Sequence, residues 1–479
     1  MSVSAPSLVI SGATILDGVA DVPLSGHSLW IENGRIKALA RPAELDAPPG
    51  INTLDATGRF VIPGLMNANV HLLWDVRIET LARHWGSYEA LIVEAAQTAL
   101  KSGLTTVFDT WGPRRHLMSV RDKIDAGELV GSRIFCAGNI VGLDGPYSSD
   151  FMAKVAEVAS EAFVRHINAI WVENVGRHLM FLPPDEVARE VRRYIGKGID
   201  FLKYAANEHG IPGAFLAFSP RVQAAIVAEA HSAGITAQAH TMTVEGLKMS
   251  VEAGCDLIQH ANVTGPVPIP QSTLDLMAER RTGAVVFPFT QRRLEWILAS
   301  VSAAERTTWH ASDMNARNLI GSGVPLLLAN DGAIIPPGRF PPAAKSWASP
   351  GDDNLVELDS GHFAWFKAMQ EKGCAPMAML KAATRNIAVA YGKGDQLGTL
   401  ESGKIADLLI LRRNPLQAAE NYRSIETIMQ GGKIVDTTKL PERNILTGLL
   451  DPAQEEADFV PFLATRATFP LCPCMRHSL

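Results

Sequence analysis

The run Ser219-Pro-Arg-Val-Gln-Ala-Ala-Ile-Val-Ala-Glu-Ala-His-Ser-Ala-Gly234-Ile-Thr-Ala-Gln-Ala-His240 decides the fold. Residues 219–233 read as a helix that stops at Gly234, and residues 236–240 read as a strand. The next twenty residues repeat the pattern: helix 244–253, Gly254, strand 257–260. A glycine closing a helix just before an apolar strand is the punctuation of helix followed by parallel strand. Gly103, Gly198, Gly283 and Gly323 read the same way. Working outward, the strands fall at 67–71, 105–109, 133–137, 201–204, 236–240, 257–260, 284–287 and 326–330. Further helices are expected at 87–102, 184–194 and 312–320. Eight strands alternating with helices imply an α/β fold, a (β/α)8 TIM-like barrel. Residues 138–183 exceed a simple connection and are expected to lid its mouth.

Both flanks read differently. Residues 7–60 hold short apolar runs and an Asn33-Gly34 hairpin signal. Residues 397–437 give a similar picture, with a turn at Gly431-Gly432. The expected organisation is a small β-sandwich built from both chain ends (1–58 and 394–440), a barrel over 59–393, and a tail, 441–479, without assignment.

Composition narrows the function classes. The chain has 479 residues, 44 Lys+Arg against 50 Asp+Glu, and a net charge of −6. That balance argues against a nucleic-acid partner, and Pro113-Arg-Arg-His116 is too short to track a phosphate backbone. No apolar run approaches the ~18 residues of a membrane span, and no signal peptide is visible, so a cytoplasmic protein is expected. Five cysteines, two of them in Cys472-Pro-Cys474, suggest neither a disulfide framework nor a zinc ribbon.

In a barrel of this kind the reactive residues sit at the C-terminal ends of the strands. Strand 1 ends in Asn69-Val70-His71, with positions 69 and 71 on one face. Lys203 ends strand 4, His240 strand 5 and His260 strand 6, and Asp331 follows strand 8. Any one alone could be structural; their joint occurrence at strand ends is the signal. Imidazoles and a carboxylate there suit a borderline divalent metal. His166, His178 and His209 lie near the expected mouth. Trp74, Trp111, Tyr147, Phe287 and Phe289 would make it apolar. G-x-S-x-G, H-E-x-x-H and Walker A motifs are missing.

The sequence resembles the amidohydrolase superfamily over nearly its full length. The stretch Gly58-Arg-Phe-Val-Ile-Pro-Gly-Leu-Met-Asn-Ala-Asn-Val-His71 and the closing stretch from Ala383 to Leu408 carry the likeness. The resemblance implies His-x-His on strand 1, a carboxylated Lys or a Glu on strand 4, a His each on strands 5 and 6, and an Asp on strand 8. His71, Lys203, His240, His260 and Asp331 match. Asn69 departs, standing where the family has its first histidine. An Asn-x-His variant with a strand-4 lysine is similar to a narrow subgroup of thiocarbamate (molinate) and phenylurea herbicide hydrolases.

The resemblance implies one divalent ion per subunit, zinc first, with cobalt, manganese or iron as alternatives. The ligands would be Lys203 (as an N-carboxylate), His240, His260, His71 and Asp331, with Asn69 a weak ligand or none and a second ion weak or absent. Asp331 and His71 are the expected catalytic pair. Trp74, Trp111, Tyr147, His209 and Phe287 are the expected substrate pocket. The expected substrate is a small neutral urea, amide or thiocarbamate, and homo-oligomers are expected. An Xaa-Pro-type dipeptidase is the first alternative; it needs a cation for the substrate carboxylate, from Arg114, Arg115 or Arg177. A non-catalytic scaffold is the second.

Overall fold

A computed structural model describes residues 7–73, 78–209, 215–334 and 354–448. The strands in chain order are β1 (Leu8–Ser11), β2 (Thr14–Ile15), β3 (Ser28–Glu32), β4 (Arg35–Ala40), β5 (Asn52–Asp55) and β6 (Phe60–Pro63). Then come β7 (Leu65–Val70), β8 (Leu104–Asp109), β9 (Arg133–Cys136), β10 (Leu202–Ala205), β11 (Ala237–His240), β12 (Leu257–Gln259), β13 (Gly283–Val286) and β14 (Leu326–Leu328). The chain returns to strands at β15 (Leu408–Leu411), β16 (Ile425–Gln430) and β17 (Lys433–Ile434).

Strands β7 to β14 are the barrel. Two parallel runs, β7-β8-β9 and β10-β11-β12-β13-β14, are joined at both edges by single bridges. Val141 bridges to Tyr204, and Val70 to Gly332, both in parallel sense. Strand β8 is buried throughout as LTTVFD, because helices cover its outer side and barrel side chains fill its inner side. The outer helices include Tyr88–Lys101, Arg114–Asp125, Pro184–Ile195, Pro220–Ser232, Val244–Glu252 and Gln271–Arg280.

The helix–glycine–strand punctuation holds at Gly103, Gly198, Gly234, Gly254 and Gly323, all with positive φ. Gly283 is a correction. Arg281 takes the left-handed turn at φ 55° after helix Gln271–Arg280. Gly283 instead opens β13, where an added Cβ would meet Leu327 at 2.9 Å. The helix expected at 312–320 starts earlier and runs Ala303–Gly321, begun by a Ser302/Glu305 capping box.

The chain ends form two facing sheets, β4-β3-β1-β5 and β17-β16-β15-β6-β2. Their shared core includes Ile10, Leu29, Ile31, Val61, Leu408, Ile410 and Met429. Asn33 and Gly34, at φ 52° and 78°, make the expected β3–β4 hairpin. The fold is thus an α/β TIM-like barrel with a small β-sandwich built from both flanks. Strand β15 pairs with β6, which runs into β7 two residues later, so the sandwich anchors the first barrel strand.

Candidate active site

The C-terminal ends of β7, β8, β10, β11 and β12, with the turn after β14, bring the expected residues to the barrel mouth. His71 follows β7; its Nε2 lies 3.0 Å from Asp331 Oδ1. Its backbone N–H donates to Gly332 O at 2.8 Å, which fixes this corner. Asp331 sits in the left-handed region at φ 54°, and so does His260 at φ 53°. Such backbone is costly for a residue with a Cβ and is concentrated at functional sites. Burial pushes the Asp331 carboxyl upward, but the charge and hydrogen bond of His71, with His260 and Lys203, outweigh it. The group is held well below the usual carboxylate range.

His240 ends β11, buried among β10 and β12. Its ring meets that of His260 edge-on at 4.8 Å. Burial pushes its pKa well below the usual imidazole value. Removal from water pushes His260 down to about 3. Both rings are therefore neutral. Among the described residues, His240 Nδ1 and Nε2, His260 Nδ1 and His71 Nδ1 are buried without a hydrogen-bond partner.

Lys203 lies within β10 and is 2% exposed. Burial lowers its pKa to about 8, against the opposing pull of Asp331 and Asp109. Its Nζ donates to Thr110 Oγ1 at 3.1 Å. Asn69 is fully buried and both ends of its amide are engaged. Oδ1 accepts from Thr110 Oγ1 at 2.5 Å, and Nδ2 donates to Gln259 Oε1 at 2.9 Å.

The aromatic residues divide. Trp111 meets His71 edge-on at 6.0 Å and stacks on Phe151 at 4.2 Å. Phe287 stacks on His260 at 5.0 Å. His209, exposed at the mouth, stacks on His240 at 5.4 Å, and its Nδ1 lies 3.2 Å from Asp150 O. Phe151 and Asp150 come from residues 138–183, so that segment does reach the mouth. Tyr147 packs against Phe163 within it. Trp74 lies outside the described residues.

The cations of the dipeptidase alternative are engaged by carboxylates. Arg114 grips Glu173 with two N–H groups, at 2.7 and 3.1 Å, and Arg115 also donates to Glu173. Arg177 bridges Asp150 and Glu208.

Sequence reading missed Asp109, Thr110 and Gln259. Asp109 is fully buried at the end of β8, and burial pushes its pKa up to about 6. It accepts from the backbone N–H of Leu72 at 2.8 Å and of Trp111 at 3.2 Å. The strand-end rule that found His240 points to Asp109 too.

The donors suit a divalent ion: neutral imidazoles with unspent nitrogens and an ionised carboxylate. Yet among the described residues no three His, Cys, Asp or Glu side chains converge closely enough to hold one. Lys203 is then the candidate for the missing donor, and an ammonium cannot serve.

Three comparisons bear on this geometry. The chain is 34% identical to a solved molinate hydrolase, over 94% of this chain and 99% of that one, with a TM-score of 0.85. It is 34% identical to phenylurea hydrolase B, over 93% and 100%, again with a TM-score of 0.85. It is 25% identical over 445 residues to an imidazolonepropionase of Geobacillus kaustophilus (strain HTA426), covering 86% of this chain and 90% of that one. Residues 60–435 match the model of the Amidohydrolase family. The chain belongs to the amidohydrolase family.

Proposed function

We propose that this chain is a metal-dependent hydrolase that activates water to cleave the C–N or C–S acyl bond of a neutral urea, amide or thiocarbamate, with phenylurea herbicides as the leading class. The observation that carries the reading is the pair of neutral imidazoles, His240 and His260, with buried nitrogens that no group among the described residues satisfies. An unsatisfied buried polar atom costs about 1–3 kcal/mol, and a divalent ion is a partner that imidazole suits. His240, His260 and Lys203, once Nζ carries an N-carboxylate, would hold one ion, zinc by preference and cobalt, manganese or iron otherwise. Asn69 spends its amide on Thr110 and Gln259, which argues against its being a ligand. Among the described residues a second ion would then find His71 and Asp331 but no strand-1 partner histidine.

When bound, the ion would lower the pKa of water toward ~7 and polarise the acyl carbonyl. Asp331, ionised at neutral pH, takes a proton from the attacking water and returns it to the leaving nitrogen or sulfur. His71 Nε2, 3.0 Å away, orients that carboxylate. Ureas and carbamates are resonance-stabilised, so protonating the leaving group matters as much as making the nucleophile. Trp111 and Phe287 offer apolar surface suited to an uncharged aryl or alkyl group.

The 34% identity to molinate hydrolase and phenylurea hydrolase B supports the substrate class. Pairing of Arg114, Arg115 and Arg177 with carboxylates disfavours the dipeptidase alternative, and the unspent imidazole nitrogens disfavour the scaffold. The test is a turnover panel with the zinc-, cobalt- or manganese-loaded protein: phenylureas, thiocarbamates, imidazolone propionate and Xaa-Pro dipeptides. Release of aryl amine or thiol is expected. Turnover confined to the carboxylate-bearing substrates contradicts the reading.

A further inference from the structure

A directional chain of buried hydrogen bonds links the strand ends beneath the mouth. Lys203 Nζ can only donate while it is an ammonium, so at 3.1 Å Thr110 Oγ1 must accept. The single hydroxyl proton of Thr110 then goes to Asn69 Oδ1 at 2.5 Å. The Asn69 amide is thereby oriented, and Nδ2 donates to Gln259 Oε1 at 2.9 Å. Gln259 Nε2 in turn donates to Gln238 Oε1. Thr110, Asn69, Gln259 and Gln238 are each no more than 1% exposed, so water cannot substitute for any member.

We propose that Thr110, held as a pure acceptor by Asn69, is the positioning residue that presents the Lys203 amine for N-carboxylation. The proposal rests on the reading of Lys203 as the third metal-holding group. With the Thr110 proton committed to Asn69, a neutral Lys203 amine can only donate to Thr110. Its lone pair therefore points away from Thr110. In the carboxylation that lone pair forms the N–C bond to carbon dioxide. One C–O π bond gives its electrons to oxygen, and one N–H proton leaves to a solvent base. The product, an N-carboxylate, keeps one N–H and still donates to Thr110. The same acceptor thus serves ammonium, amine and N-carboxylate. The residue standing where a strand-1 histidine is usual becomes the anchor of this device.

The test uses the full chain stripped of metal, supplied with 13C-labelled bicarbonate and read by 13C NMR for a carbamate carbon, with zinc affinity measured in parallel. Lys203→Arg assigns the signal by removing it. Thr110→Val should need more bicarbonate for the same signal and bind zinc about 10–100-fold more weakly, the usual cost of losing an outer partner. Thr110→Ser should restore both. Asn69→Leu removes the acceptor that commits the Thr110 proton and should behave like Thr110→Val. Melting temperatures show which variants are folded, and Asn69→Leu carries the test if Thr110→Val is not. Wild-type labelling by Thr110→Val and Asn69→Leu overturns the proposal, as does a wild type that forms no carbamate. Labelling that follows Thr110 in a protein that hydrolyses no urea, amide or thiocarbamate would leave this proposal standing and remove the substrate reading.

Discussion

Two corners of the barrel mouth each turn on histidine and are balanced differently. At the β7/β14 corner, His71 Nε2 and Asp331 Oδ1 pair across 3.0 Å, and only His71 Nδ1 is left buried without a partner among the described residues. At the β11/β12 corner, His240 and His260 meet edge-on and leave buried nitrogens without partners among the described residues. The first corner, complete in that its carboxylate is paired without an ion, is suited to moving a proton. The second is incomplete without one. This contrast is what the proposal of a single tight ion at the second corner, worked on by the first, rests on.

The sharpest way to break the contrast is to delete a ring at the incomplete corner. His240→Ala and His260→Ala should each lose bound metal and hydrolysis while keeping the melting transition. Elemental analysis and circular dichroism check this, and wild-type turnover by either variant after chelation would remove the assignment. Next in size is Asp331→Asn, which keeps the shape of the complete corner and removes its base. A loss of at least ~10²-fold in kcat is expected, with metal retained. A loss below tenfold would mean that another group moves the proton.

Asn69→His asks whether the complete corner can be turned into a second metal site. The new imidazole should raise affinity for a second ion, read as a rise in bound metal when metal is supplied. No rise would mean that loss of the strand-1 histidine is not what leaves this corner without an ion.

The smallest effect concerns Lys203 in the metal-free protein. Its folded pKa is about 8 against a usual lysine value of 10.5. Between those pH values the unfolded chain binds more protons than the folded one, so this group makes stability rise with pH. Its destabilisation is full below pH 8 and fades toward 10.5. Metal-free Lys203→Met should therefore be more stable than wild type at pH 7, with an advantage that shrinks across that window. Chemical denaturation at several pH values measures it.

The barrel was legible because helix-closing glycines and apolar strands follow local rules, and His240, His260 and Asp331 were legible because they fall at strand ends. Thr110, Asn69 and Gln259 were not legible as a unit. Their link is a hydrogen-bond chain across strands far apart in sequence, and a threonine one residue past a strand carries no distinctive spacing. The flank after β17 was illegible for a related reason. Glu94, Gln97 and Lys101 stand at helical spacing and carry no distinctive signal. In the fold they clamp residues 440–447: Glu94 accepts from the backbone of Ile445, Leu446 and Thr447, Gln97 from Glu442, and Lys101 donates to Leu440 O. Asn69 is the instructive case between these extremes. Its departure from the family pattern stood out in the sequence, but its partners are visible only in three dimensions.

The most direct test of the central claim is the metal content of the wild-type protein, purified with zinc and bicarbonate supplied and freed of loosely held ions. One tightly bound ion per chain, lost in His240→Ala and kept in Asp331→Asn, is the predicted result. Two tight ions per chain, or one that survives loss of His240, would contradict it.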